Sequence, residues 1–267
     1  MRILPFVIVA ILYMTLALRM LRGTGLDSRG RHLFVAIGGA ALATHLISLF
    51  IDARTAGGIH LHFFAALSWV GAGMASVLLI AISFRTIERL GTVVFPIAAA
   101  TCLLAGFAGA PNGEHSALPD WRIAIHAVLA LVAFATLAVA ALVAVMLGIQ
   151  DRALRARRFN TWMQGAPPLT EVEALMFQLI GTGFAVLSLA LVSGVMFVHD
   201  LFAQHLVHKT VLAIAAWLVF GALLLGRWRF GWRGQRAIRL VLTGVSLLVL
   251  AYLGSKFVLE MVLQRAP

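Results

Sequence analysis

Nine histidines run through this chain, and their placement carries its chemistry. His60, His62, His115, His126, His199, His205 and His208 fall in or beside segments poor in arginine, and His45 lies inside an apolar run. Imidazole binds metal ions and haem iron through a neutral ring nitrogen, and it changes charge near neutral pH. Inside or at the edge of a bilayer, such a side chain is a functional candidate by default.

His126 and His208 stand out by position. His126 lies about one turn after Asp120-Trp-Arg122 and leads into an unbroken apolar run, 127–148. His208 opens another such run, followed by Lys209. Two histidines at the same end of two rigid helices can face each other across a shared space. Haem iron takes axial ligands on opposite faces of a flat ring, and a helical bundle can supply both. A histidine at a helix end can equally sit among lipid headgroups and bond to water, so residue chemistry alone leaves both readings open. His199, His205 and His208, with Asp200, offer a zinc or copper set, but their spacing matches no established metal motif. His60 and His62 would point the same way on an extended strand. His45, flanked by Thr44 and Ser48, reads as an internal haem ligand or relay. The alternative is a hydrogen bond to a neighbouring helix.

The elements that hold these residues are membrane spans. The chain is 62% hydrophobic and 12% charged, with a mean hydropathy of +1.00. A soluble domain is about half apolar and about a quarter charged. Apolar runs long enough to cross a bilayer cover roughly 3–19, 33–51, 62–84, 91–109, 122–148, 172–198, 208–226 and 237–259. The fold expected is all-α, a polytopic transmembrane bundle of about eight spans. Residues 1–110 form a four-span N-terminal region and 111–267 a second four-span core. No segment alternates polar and apolar residues as a transmembrane β-barrel requires.

The net charge of +11 reflects topology rather than nucleic acid. Fifteen of the 21 basic residues lie in the odd-numbered connections, in 19–31, 85–89, 152–158 and 227–239. The positive-inside rule then puts both termini and most histidines outside. Arg227-Trp-Arg-Phe-Gly-Trp-Arg interleaves basic and aromatic residues, but between two spans this is an interfacial belt. In the connection before the sixth span, Thr170 is placed to cap a helix that carries Glu171 and Glu173. Lys256 and Glu260, four apart, are placed to pair locally. The single cysteine, Cys102, sits within a span, so there is no thiolate metal site and no C-x-x-C-H for covalent haem attachment. Nucleophile-elbow, phosphate-loop and paired-carboxylate motifs are absent, and no enzyme activity is expected.

Several pieces in order give a resemblance. His126 opens a long helix ending in a basic loop; Ile180-Gly-Thr-Gly-Phe and Leu191-Val-Ser-Gly-Val follow in one span. His208-Lys-Thr-Val-Leu-Ala-Ile-Ala-Ala-Trp217 and Gly231-Trp-Arg-Gly-Gln-Arg236 come next. Residues 122–259 thereby resemble the cytochrome c assembly family (the CcsA, CcmC and HemX types), nearest its YpjD-like inner membrane proteins. The resemblance implies a non-enzymatic inner membrane protein that binds haem non-covalently at the periplasmic face. His126 and His208 would contact it, with His45 and His62 secondary. Haem iron would be the only metal, and the bilayer and other assembly proteins the partners. The family's haem-delivering members carry a tryptophan-rich segment where this chain has Gly194-Val-Met-Phe-Val-His-Asp, so a HemX-like binding role is implied rather than delivery. A transporter or metal-ion permease, and a haem-bearing electron-transfer subunit, are the alternatives.

Overall fold

In a bilayer every backbone polar group must be satisfied internally, so an apolar chain of this length crosses it as helices. The computed structural model describes residues 3–22, 28–55, 62–84, 87–108, 121–157, 167–197 and 207–254. They hold eight helices long and apolar enough to span: α1 (Ile3–Arg22), α2 (Ser28–Thr55), α3 (Phe63–Phe84), α4 (Gly91–Ala108), α5 (Trp121–Arg155), α6 (Leu169–Phe197), α7 (Val207–Phe230) and α8 (Gln235–Val249). A short 3₁₀ turn, Glu88–Leu90, precedes α4, and a π turn, Leu250–Gly254, follows α8.

Some of the helices outrun the apolar runs that predict them. α2 begins at Ser28 and α5 continues to Arg155, because serine, arginine, glutamine and alanine propagate a helix well after hydrophobicity has ended. At about 52 Å, α5 is longer than a hydrocarbon core about 30 Å thick. The start of α6 differs from expectation. Thr170 lies within the helix, and the Pro168 carbonyl accepts from Glu171 and Val172 at 2.9 and 3.2 Å. A proline carbonyl can close the first turn without a capping side chain. Of the other expectations, the Lys256–Glu260 pair and His60, His115, His199 and His205 lie outside the described residues.

The chain divides into two compact units, Met1–Ala124 and Ile125–Ser255. In the first, α1 packs on α2 and α4, and α3 on α2 and α4, closing a four-helix ring. Its core holds Val9, Tyr13, Phe34, Leu78, Ile82, Val94 and Phe95. At Gly71 a side chain would strike Thr101 and the backbone of Ala98, so glycine lets α3 and α4 approach closely. Arg31 at the start of α2 pairs with buried Glu88 at 3.1 Å, tying α2 to the α3–α4 connection.

The second unit is also a ring of four antiparallel helices. Gly183 packs on Leu137 and Gly194 on His126, one register between α5 and α6. Gly148 meets Ile238 and Phe134 meets Tyr252, one register between α5 and the α8 end. Trp217 donates to Ser188 at 2.8 Å and stacks on Phe184, fixing α7 on α6. Phe220 fills the space over Gly244 between α7 and α8. α5 and α7 are therefore the diagonal pair.

The end of this unit bearing the C-terminus of α7 is closed by polar bonds. Gly231 takes φ +65°, a conformation glycine adopts freely, and its N–H bonds the Arg227 carbonyl at 3.1 Å. The chain turns back so that Trp232 covers Gly226 and stacks on Phe230. Arg227 and Arg233 reach Glu173 of α6 at 3.1 and 3.4 Å. Gln235 donates to Asp151 of α5 at 3.0 Å. The Gly-Trp-Arg-Gly-Gln segment thus ties three neighbouring helices together.

Candidate functional site

His126 sits about one and a half turns before the first buried residue of α5, Leu131, at the opposite end of the same unit. Its ring is half-buried against the last turns of α6. Nδ1 lies 2.9 Å from the Ala190 carbonyl oxygen and 3.1 Å from Ser193 Oγ. A carbonyl only accepts, so Nδ1 carries the proton and donates it. The Ser193 hydroxyl donates to the same carbonyl at 2.8 Å, leaving its oxygen free to accept from the ring. Gly194 lies beneath the imidazole: a Cβ there would come 3.0 Å from Cε1. With Nδ1 protonated, Nε2 holds a lone pair, and no described residue bonds to it. A histidine that donates one ring nitrogen to a carbonyl and presents the other bare is in the form that ligates metal.

His208 is the second residue of α7 and is exposed. Followed from α5 to α7 through α6, the registers above bring His126 level with the start of α7. The two histidines therefore share a level on the diagonal helices of one bundle. Among the described residues, the packing at that level is open on α5 and α7. No residue of α7 before Ala216 is buried, and none of α5 before Leu131, whereas Ala190, Ser193 and Gly194 of α6 are buried. Below Leu131 and Ala216 the bundle is filled by Leu137, Phe220 and Leu223. An open apolar end with one fixed imidazole on one wall and a second histidine across the diagonal fits a flat, iron-bearing ring by its donor set and shape.

The other two site residues predicted from sequence lie in the first unit. His45 is fully buried, with Nε2 2.9 Å from Ser68 Oγ and Nδ1 3.4 Å from the Tyr13 hydroxyl. Tyr13 also stacks on Phe95. His45 thus joins α1, α2 and α3, with both ring nitrogens engaged. His62 precedes α3, and its Nδ1 accepts the Ala65 N–H at 3.4 Å, the position of an N-cap. Among the described residues no three of His, Cys, Asp and Glu gather as a metal set.

Sequence reasoning missed Ser193 and Gly194 as partners of His126. The signal available was the Ser193-Gly194 pair near the end of an apolar span, which counts in the sequence only toward the family resemblance.

A family model described as cytochrome C assembly protein matches residues 33–263. The chain belongs to the cytochrome c assembly family. The match extends to the second span, well before residue 122, so both units take part in it. An inner membrane protein of Escherichia coli, YpjD, is 37% identical over 138 residues, 52% of each chain. The aligned stretch thus spans about half the length of that relative. An uncharacterized 28.8 kDa protein of Azospirillum brasilense is 33% identical over 250 residues, 90% of each chain. The cytochrome c biogenesis protein CcsA of Prochlorococcus marinus is 28% identical over 86 residues, 32% of this chain and 27% of CcsA. No solved structure matches this cytochrome c assembly protein.

Proposed function

We propose that this chain binds haem non-covalently at the histidine end of its second unit and assists cytochrome c assembly at the outer face of the inner membrane. It does so without catalysing a reaction. The observation that carries the reading is the fixed ring of His126, with a bare Nε2, level with His208 at an open apolar end. His126 offers a ligand nitrogen held in one tautomer. His208 offers a second histidine from the diagonal helix, and the apolar walls of α5 and α7 exclude water from a macrocycle. Haem held there would supply an iron centre able to take up imidazole nitrogen.

Family membership supports the assembly role, as does CcsA, whose name assigns it to cytochrome c biogenesis. YpjD, an inner membrane protein by name, supports the location. The excess of arginine in the odd-numbered connections supports a topology with both termini and the histidine end outside. Other assembly proteins and the bilayer are the partners of such a protein. In this reading His45 joins helices of the first unit and His62 caps the start of α3.

The test is the absorption spectrum of the full chain, expressed with ample haem and purified in detergent. A Soret band is expected in the wild type and lost in His126→Ala and in His208→Ala. No band in the wild type, or the same band in both variants, overturns the proposal.

A further inference from the structure

We infer that Ser193 and Gly194 are positioning residues that lock the His126 imidazole in the Nδ1–H form and aim its Nε2 away from α6. The inference deepens the proposed function, and its meaning for haem rests on that reading. The lock itself stands on the geometry. Ser193 Oγ donates to Ala190 O at 2.8 Å, and Nδ1 lies within hydrogen-bond distance of both oxygens. A serine hydroxyl bonded back to its own helix carbonyl bends the helix locally and turns that carbonyl outward. Here the outward side is where His126 lies. Both acceptors sit at one edge of the ring, so flipping the imidazole would bring a C–H to them and break both bonds.

Gly194 completes the cradle. An added Cβ would meet Cε1 at 3.0 Å and Nδ1 at 3.4 Å, closer than the ring tolerates without moving. The ring would shift by a few tenths of an ångström, weakening the Nδ1 bond to the Ala190 carbonyl and with it the preference for one tautomer. Three residues of one helix end thus decide which nitrogen of a histidine on another helix is presented. None of the three needs to touch the ligand.

The lock can be read without haem. The full chain, with ¹⁵N-labelled histidine, is placed in lipid bilayers at a pH that keeps imidazole neutral. The His126 ring signal is assigned by its loss in His126→Gln. The wild type is expected to show protonated Nδ1 and bare Nε2. Ser193→Ala and Gly194→Ala are expected to give mixed tautomers, and Ser193→Thr, which keeps the hydroxyl, the wild-type pattern. Haemin titrated into the same proteins should bind about tenfold more weakly to Gly194→Ala, the typical cost of losing the support behind a ligating histidine, and normally to Ser193→Thr. Protonated Nε2 in the wild type, or wild-type tautomers in both Ser193→Ala and Gly194→Ala, overturns the inference. The expected tautomers with no haemin binding keep the lock and overturn the proposed function instead.

Discussion

His45 in the first unit and His126 in the second are the same side chain put to opposite uses. His45 is sealed among α1, α2 and α3, and a hydroxyl meets each of its ring nitrogens. His126 has one nitrogen bonded to a carbonyl and the other bare, on a half-buried ring at the open end of a bundle. The first arrangement uses up the hydrogen-bonding capacity of the imidazole to join helices. The second uses half of it to orient the ring and leaves the rest for a ligand. Availability in a membrane histidine therefore depends on which nitrogen is satisfied, and by what, more than on depth in the span.

The contrast can be broken most severely at His45. His45→Leu strands the hydroxyls of Tyr13 and Ser68 in an apolar core, and should lower stability by about 2 kcal/mol. It should leave haemin affinity at the second unit unchanged. Unfolding followed by circular dichroism in detergent, beside a haemin titration, checks both halves. Equal loss of haemin binding would show that the two histidines do not have separate tasks.

Glu173→Gln probes the opposite end of the second unit, where Arg227 and Arg233 share one carboxylate. The glutamine keeps the shape and loses the charge, so a stability loss of about 1.5 kcal/mol is expected from the part-buried Arg227–Glu173 pair, the exposed Arg233 adding little. The His126 tautomer should not change, as read by the same ¹⁵N signal.

A smaller effect of opposite sign is expected at Gln150. Its side chain is 2% exposed, and neither amide atom has a partner among the described residues. Where His45 is saturated, Gln150 is unsatisfied. Gln150→Leu should raise the unfolding midpoint, by about 1 kcal/mol in stability, since an unmade buried hydrogen bond costs that much or more. A fall in the midpoint would mean that the amide holds something in the folded protein.

The spans were legible because length and hydropathy alone determine which segments can cross a bilayer, and each of the eight expected runs overlaps one spanning helix. Helix ends were less so, since a helix continues through Arg152 and Arg155 after the apolar signal has stopped. The positions of His126 and His208 at helix starts could be read from the runs that follow them. The bonding of their rings could not. The partners of His45 lie 32 and 23 residues away, and the acceptor for His126 is a backbone carbonyl that no residue type announces. Thr170 was misread because side-chain capping is visible in sequence, whereas a proline carbonyl closing a turn is not.

The bonds among Glu173, Arg227, Arg233, Asp151 and Gln235 have a mechanical consequence. They hold α5, α6 and the α7–α8 turn together at one extremity, so a rotation of α7 about that point acts as a lever with its fulcrum there. A helix of 24 residues such as α7 has an arm of about 36 Å, and a tilt of about 5° carries its far tip through about 3 Å. Small rotations that leave the fulcrum intact therefore widen or narrow the gap at the histidines, like the jaws of a spring clip.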